Sequence, residues 1–111
     1  MTVSIRAARR TDLQDIVHLW RELWELHASL DPRITAAPDA DRVMRDLLTD
    51  HYEADDSCIF VAEDGGKLVG YVLGVILTNP PVETEPRFGY VSDLAVTASA
   101  RSHGVGTKLL A

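Results

Sequence analysis

Apolar and polar positions alternate at the start of the chain: Val3, Ile5 and Ala7 are interleaved with Ser4 and Arg6, which predicts a short strand. Thr11-Asp12-Leu13-Gln14 then has the form of a capping box, with Thr11 set to accept from the N3 amide and Gln14 to reach back. Behind it the period becomes helical, since Leu13, Ile16, Val17, Trp20, Leu23, Trp24 and His27 share one face. Trp20 and Trp24 on that stripe read as core or subunit-contact residues. Asp31-Pro32 should end this helix by Leu30. A second helix is expected after Pro38-Asp39, with Asp39 as N-cap and Ala40, Val43, Met44, Leu47 and Leu48 as its apolar stripe.

The pattern then changes to strands. Cys58 to Ala62 reads as one strand, Asp64-Gly65-Gly66 as a tight turn, and Lys67 to Thr78 as a longer partner, so a hairpin is predicted. Gly70 and Gly74 inside the long strand predict a bulge or close packing against a neighbour. Asn79 to Pro86 is a turn-rich loop, Phe88 to Val96 a further strand, and Thr97 to Ser102 a polar connection. A last helix is expected from near Gly104. It ends on apolar residues with no glycine cap, as if interrupted. The order is β-α-α-β-β-β-α, an α+β (mixed α/β) fold in a single domain over 1–111.

Composition narrows the class. With 46% hydrophobic and 25% charged residues, the 111-residue chain can bury its own core and is no disordered tail or linker. A net charge of −6 removes a global basic footprint for nucleic acid. The charge is unevenly spread: residues 41–64 hold eight acids against Arg42 and Arg45, whereas 86–111 hold Arg87, Arg101 and Lys108 against Asp93. The acidic stretch reads as a solvated face. The apolar run Leu68 to Leu77 is too short to span a membrane, and early arginines oppose a secretion signal. Cys58 is the only cysteine, so no intrachain disulfide can form and a reducing, cytoplasmic setting is expected. It reads as a small buried apolar group. His18, His27 and His51 lack metal-ligand spacing, so no metal is expected.

Chemistry concentrates in Asp93 to Leu110, which reads as strand, two-glycine loop and helix start. Helix starts present unpaired amides that bind anions, and Gly104 and Gly106 allow close approach of the backbone. Arg101 and Lys108 add positive charge there. A phosphate or pyrophosphate is the natural ligand. Thr107-Lys108 stands in the reverse of the P-loop order, and Leu109 stands where a dinucleotide fingerprint needs glycine or alanine.

Arg101-x-x-Gly104-x-Gly106 after a strand ending Leu94-Ala95-Val96 resembles the Gln/Arg-x-x-Gly-x-Gly/Ala cofactor motif of the GNAT N-acetyltransferase superfamily. The element order and the Asp64-Gly65-Gly66 hairpin are also similar to that family's. The resemblance implies a mostly antiparallel sheet flanked by helices, here without the family's C-terminal β-α-β-β part. It implies acetyl-CoA as cosubstrate and an amine of a small molecule or protein as acceptor. Arg101, Ser102, His103, Gly104, Val105, Gly106 and Thr107 would cradle the pyrophosphate, and the main chain of Leu94, Ala95 and Val96 would pair with the pantetheine arm. The Leu94 amide would face the thioester oxygen.

The family's strand glutamate aligns with Tyr90 here. Asp93 and Tyr90 are therefore the candidate catalytic residues, with Glu85 the other nearby carboxylate and Asp93 the better base. The family's leaving-group tyrosine would lie beyond Ala111. Trp24, Leu26 or His27 would border the acceptor. Two alternatives stand beside the enzyme: an inactive acyl-CoA-binding module, and a truncated remnant. The open edge of the last strand also predicts either a homodimer that covers it or a fold without a finished cofactor slot.

Overall fold

The computed structural model describes residues 3–78, 81–82, 84, 87–101 and 103–111. The elements are β1 (Ser4–Ala7), α1 (Leu13–Leu30), α2 (Ala40–Glu53), β2 (Ser57–Asp64), β3 (Lys67–Thr78), β4 (Arg87–Val96) and α3 (Val105–Leu110), with 3-10 turns at Arg10–Asp12 and Ala98–Ala100. This is the expected order. The four strands form one antiparallel sheet in the order β1-β2-β3-β4. Side chains alternate across it, and each face builds its own core. Leu13, Ile16, Val17, Met44 and Leu48 of α1 and α2 pack on Ile59, Val61, Tyr71 and Leu73. Val105 and Leu109 of α3 pack on Ala62, Val69 and Val72 on the other side. A fully buried aliphatic or aromatic side chain of this kind contributes about 1.5–3 kcal/mol.

Asp64 pairs with Lys67 across the two-residue turn, where Gly65 (φ 59°) and Gly66 (φ 86°) both take the left-handed conformation of a primed hairpin. Gly70 and Gly74 serve both predicted purposes. The register skips Val69 beside Gly70, and skips Ser92 of β4 opposite Leu73 and Gly74, so each glycine adjoins a bulge. A Cβ on Gly70 would lie 3.0 Å from the Ala95 carbonyl oxygen and 3.2 Å from Leu109, and one on Gly74 would lie 3.1 Å from Cys58 Sγ.

Three local expectations are corrected. Thr11 lies inside a 3-10 turn ahead of α1, so the Thr11–Gln14 box does not form. Instead the Asp12 carboxylate accepts the Arg9 amide at 2.7 Å, and Gln14 turns toward His18. Asp39 is the N-cap residue of α2 as expected, with its carboxylate on the Arg42 guanidinium (2.6 Å) rather than on a helix amide. Cys58 is exposed rather than buried, because it faces the α3 side beyond the reach of that six-residue helix. The stripe of α2 is also narrower than expected, with Met44 and Leu48 buried but Val43 and Leu47 exposed.

Arg6 braces the hairpin end of the sheet. Its guanidinium donates to Asp12 at 2.7 and 3.0 Å and to Glu63 at 3.0 Å. The Arg6 hydrogen bond, more than any other influence, holds the Asp12 carboxyl below the usual carboxylate range.

Candidate functional site

Where β4 runs into α3 the backbone makes a corner whose parts are fixed by long-range contacts. Thr97 N–H donates across to Val69 O (2.9 Å), so the preceding carbonyl, that of Val96, points away from β3 toward the free edge. Arg101 Nε donates to that carbonyl at 2.9 Å. By the two-residue period, the Leu94 amide and carbonyl also face the free edge. Gly104 (φ 75°) caps α3 in the left-handed conformation, which turns the chain so that Val105 and Leu109 enter the core beneath Gly70.

A cavity of about 230 Å³ opens on this corner, lined by Val96, Ala100, Arg101, Gly104, Val105, Gly106 and Thr107. The fold thus brings together most of the residues singled out in the motif. His103 is exposed and outside the lining, Ser102 lies outside the described residues, and Ala95 is buried on the α1 side. Lys108 Nζ reaches the Val3 carbonyl at 3.5 Å. Gly106 is the unusual member. Its φ is not positive, and a Cβ built on it would meet none of the described residues within 4 Å. Glycine in a helix costs up to about 1 kcal/mol against alanine, the full amount applying to the interior and less to the first turn where Gly106 lies. Neither backbone strain nor packing against the described residues explains that cost. The open space above Gly106 suits a ligand that approaches the main chain closely, as a pyrophosphate group does.

Glu22 of α1 completes the corner, and nothing in the helical pattern marks it. Its carboxylate accepts from the Thr97 hydroxyl at 2.7 Å, the Ala98 amide at 2.9 Å and Arg101 Nη2 at 3.4 Å.

The other face of β4 carries the candidate catalytic groups. The Ser92 bulge puts Tyr90, opposite Val75, on the same side as Asp93, opposite Leu73; strict alternation would separate them. Asp93 is half-buried, and the hydroxyl of fully buried Tyr71 donates to its Oδ2 at 3.4 Å. Burial first, and Asp93 second, push the Tyr71 phenol well above its ordinary pKa, so it stays a donor. A polar-tipped residue in the apolar run Leu68 to Leu77 was the available signal for Tyr71. Tyr90 is exposed and lines a cavity of about 460 Å³ with Ser92, His51, Ser57, Val75 and Leu77. Glu85 lies outside the described residues.

Trp24 is half-buried against Trp20 (ring centroids 5.6 Å apart), and its indole N–H is buried without a partner among the described residues. Leu26 and His27 are exposed. The described residues contain no cluster of three potential metal-ligating side chains.

Residues 13–111 match the acetyltransferase (GNAT) family. The chain belongs to that family. A 52-residue stretch is 48% identical to the N-terminal acetyltransferase complex ARD1 subunit homolog of Dictyostelium discoideum, covering 46% of this chain and 23% of that protein. The fold is similar to that of a tetramutant of the BH1408 protein from Bacillus halodurans (TM-score 0.81, 21% identity, 96% of this chain and 70% of that one). It is also similar to a predicted acetyltransferase with acetyl-CoA from Clostridium acetobutylicum (TM-score 0.76, 18% identity, 98% of this chain and 69% of that one). No helix among the described residues is long and apolar enough to cross a membrane.

Proposed function

We propose that this chain, as a single domain over 1–111, transfers an acetyl group from acetyl-CoA to a primary amine of a small molecule or protein. The observation that carries the proposal is Gly106, a helical glycine required neither by φ nor by packing against the described residues, in a cavity shared with Arg101 and Gly104. In this reading Arg101 to Thr107 hold the pyrophosphate and the free edge of Leu94–Val96 takes the pantetheine arm. Arg101 already occupies the Val96 carbonyl, which leaves the Val96 amide and the Leu94 carbonyl as edge partners for the arm. Acetyl-CoA supplies an activated thioester: a C–N bond forms to the amine and the C–S bond breaks. The Leu94 amide donates to the carbonyl oxygen as it gains charge. Asp93 accepts the amine proton, and the departing thiolate is protonated from solvent.

A second reading, acyl-CoA binding without turnover, is favoured by Tyr90, a phenol where the family's strand carboxylate aligns. Calorimetric titration with acetyl-CoA, followed by thiol release over an amine panel, separates the two. Saturable binding with release supports the enzyme, binding without release leaves the module, and no binding at about 1 mM ends both.

A cytoplasmic location and a homodimer belong to the same proposal. β4 is an edge strand among the described residues, and Ile76, Leu77, Phe88, Tyr90 and Val91 are exposed near it, which supports association through that end of the sheet. Light scattering behind a sizing column should return a dimer, and a stable monomer would refute it.

A further inference from the structure

We propose that Glu22 is a positioning residue for the cofactor: it holds the β4–α3 corner in its binding geometry from the opposite side of the sheet. One carboxylate joins three consecutive parts of that corner. Oε1 accepts from the Thr97 hydroxyl (2.7 Å), while Oε2 accepts from the Ala98 amide (2.9 Å) and Arg101 Nη2 (3.4 Å). Arg101, kept in place by this contact, donates its Nε to the outward Val96 carbonyl at 2.9 Å. The end of the strand, the 3-10 turn and the motif arginine therefore share a single anchor on α1.

Two physical points separate positioning from charge. The Glu22 and Arg101 side chains are 40% and 41% exposed, and ion pairs in that environment contribute little by themselves. A negative charge beside a site for an anionic cofactor is also unfavourable to binding. What Glu22 adds is hydrogen-bond geometry, chiefly its short bonds from Thr97 and Ala98. Without it the turn is free to sample other conformations, and a ligand must order it on binding.

The inference rests on the acetyl-CoA reading, and one experiment tells the two apart. Wild type, Glu22→Ala, Glu22→Gln and Thr97→Val are titrated with acetyl-CoA, and amide hydrogen exchange is followed over residues 97–106. Wild type should bind. Glu22→Ala should bind about tenfold more weakly, with faster exchange at Ala98 and no change in α2 or β2. In turnover its KM for acetyl-CoA should rise while kcat and the acceptor KM hold. Glu22→Gln should stay within about threefold of wild type, because its amide oxygen accepts from Ala98 and its NH2 donates to a reoriented Thr97 hydroxyl. Thr97→Val, which keeps the Ala98 bond, should fall between them and covers the case in which Glu22→Ala does not fold. Wild-type binding with an unaffected Glu22→Ala, or a Glu22→Gln as weak as Glu22→Ala, overturns the role of Glu22 alone. Absence of wild-type binding overturns the acetyl-CoA reading and the role built on it.

Discussion

Two corners of this molecule are each built on a pair of glycines and each braced by a charged side chain from a distant element. At the β2–β3 turn, Gly65 and Gly66 both have positive φ, and Arg6 anchors neighbouring Glu63 and Asp12. At the β4–α3 turn, only Gly104 has positive φ, and Glu22 anchors Thr97, Ala98 and Arg101. The difference is Gly106, where neither φ nor packing against the described residues calls for glycine. The first corner is explained by conformation alone. The second keeps an unexplained space beside the motif arginine, and that surplus is what points to a ligand.

Substitutions at the two corners should behave differently, and the largest difference concerns Gly106. Gly106→Val fills the open space and should weaken acetyl-CoA binding about 100-fold, or about 2.7 kcal/mol, with the folded state retained by circular dichroism. At the first corner the corresponding loss is in stability. Asp12→Asn should cost about 2 kcal/mol by denaturant unfolding, since a charge-assisted pair with Arg6 is lost. Because the folded Asp12 carboxyl titrates below its ordinary value, its contribution is complete above about pH 4 and is lost as pH falls through the lowered pKa. Asp12→Asn should flatten the acid limb of the stability profile accordingly.

Gly65→Ala, Gly66→Ala and Gly104→Ala force a Cβ into the left-handed region and should each cost about 1–2 kcal/mol. The smallest effect has the opposite sign. Gly106→Ala should raise stability by up to about 1 kcal/mol while lowering cofactor affinity, a trade that a purely structural glycine would not show.

Hydrophobic period and turn chemistry made the strands, the helices and the hairpin legible in the sequence, because each is marked by residues close together along the chain. The β4–α3 corner was legible because Arg101, Gly104 and Gly106 lie within one short segment. What remained hidden depends on distance or on a break in periodicity. Glu22 meets Thr97 across 75 residues, and helical spacing reports which residues face the sheet, not which polar tip reaches a remote loop. The Ser92 bulge puts Tyr90 and Asp93 on one face, a result that alternation excludes. Cys58 is exposed because α3 covers only part of its face, and its strand pattern carries no sign of that.

The account turns on whether the space above Gly106 holds the pyrophosphate of acetyl-CoA. Calorimetric titration of wild type and Gly106→Val with acetyl-CoA measures this directly. The account predicts saturable one-to-one binding to wild type at ligand concentrations below about 1 mM, and loss of about 100-fold in the variant. Equal binding to both proteins, or none to wild type, would contradict it.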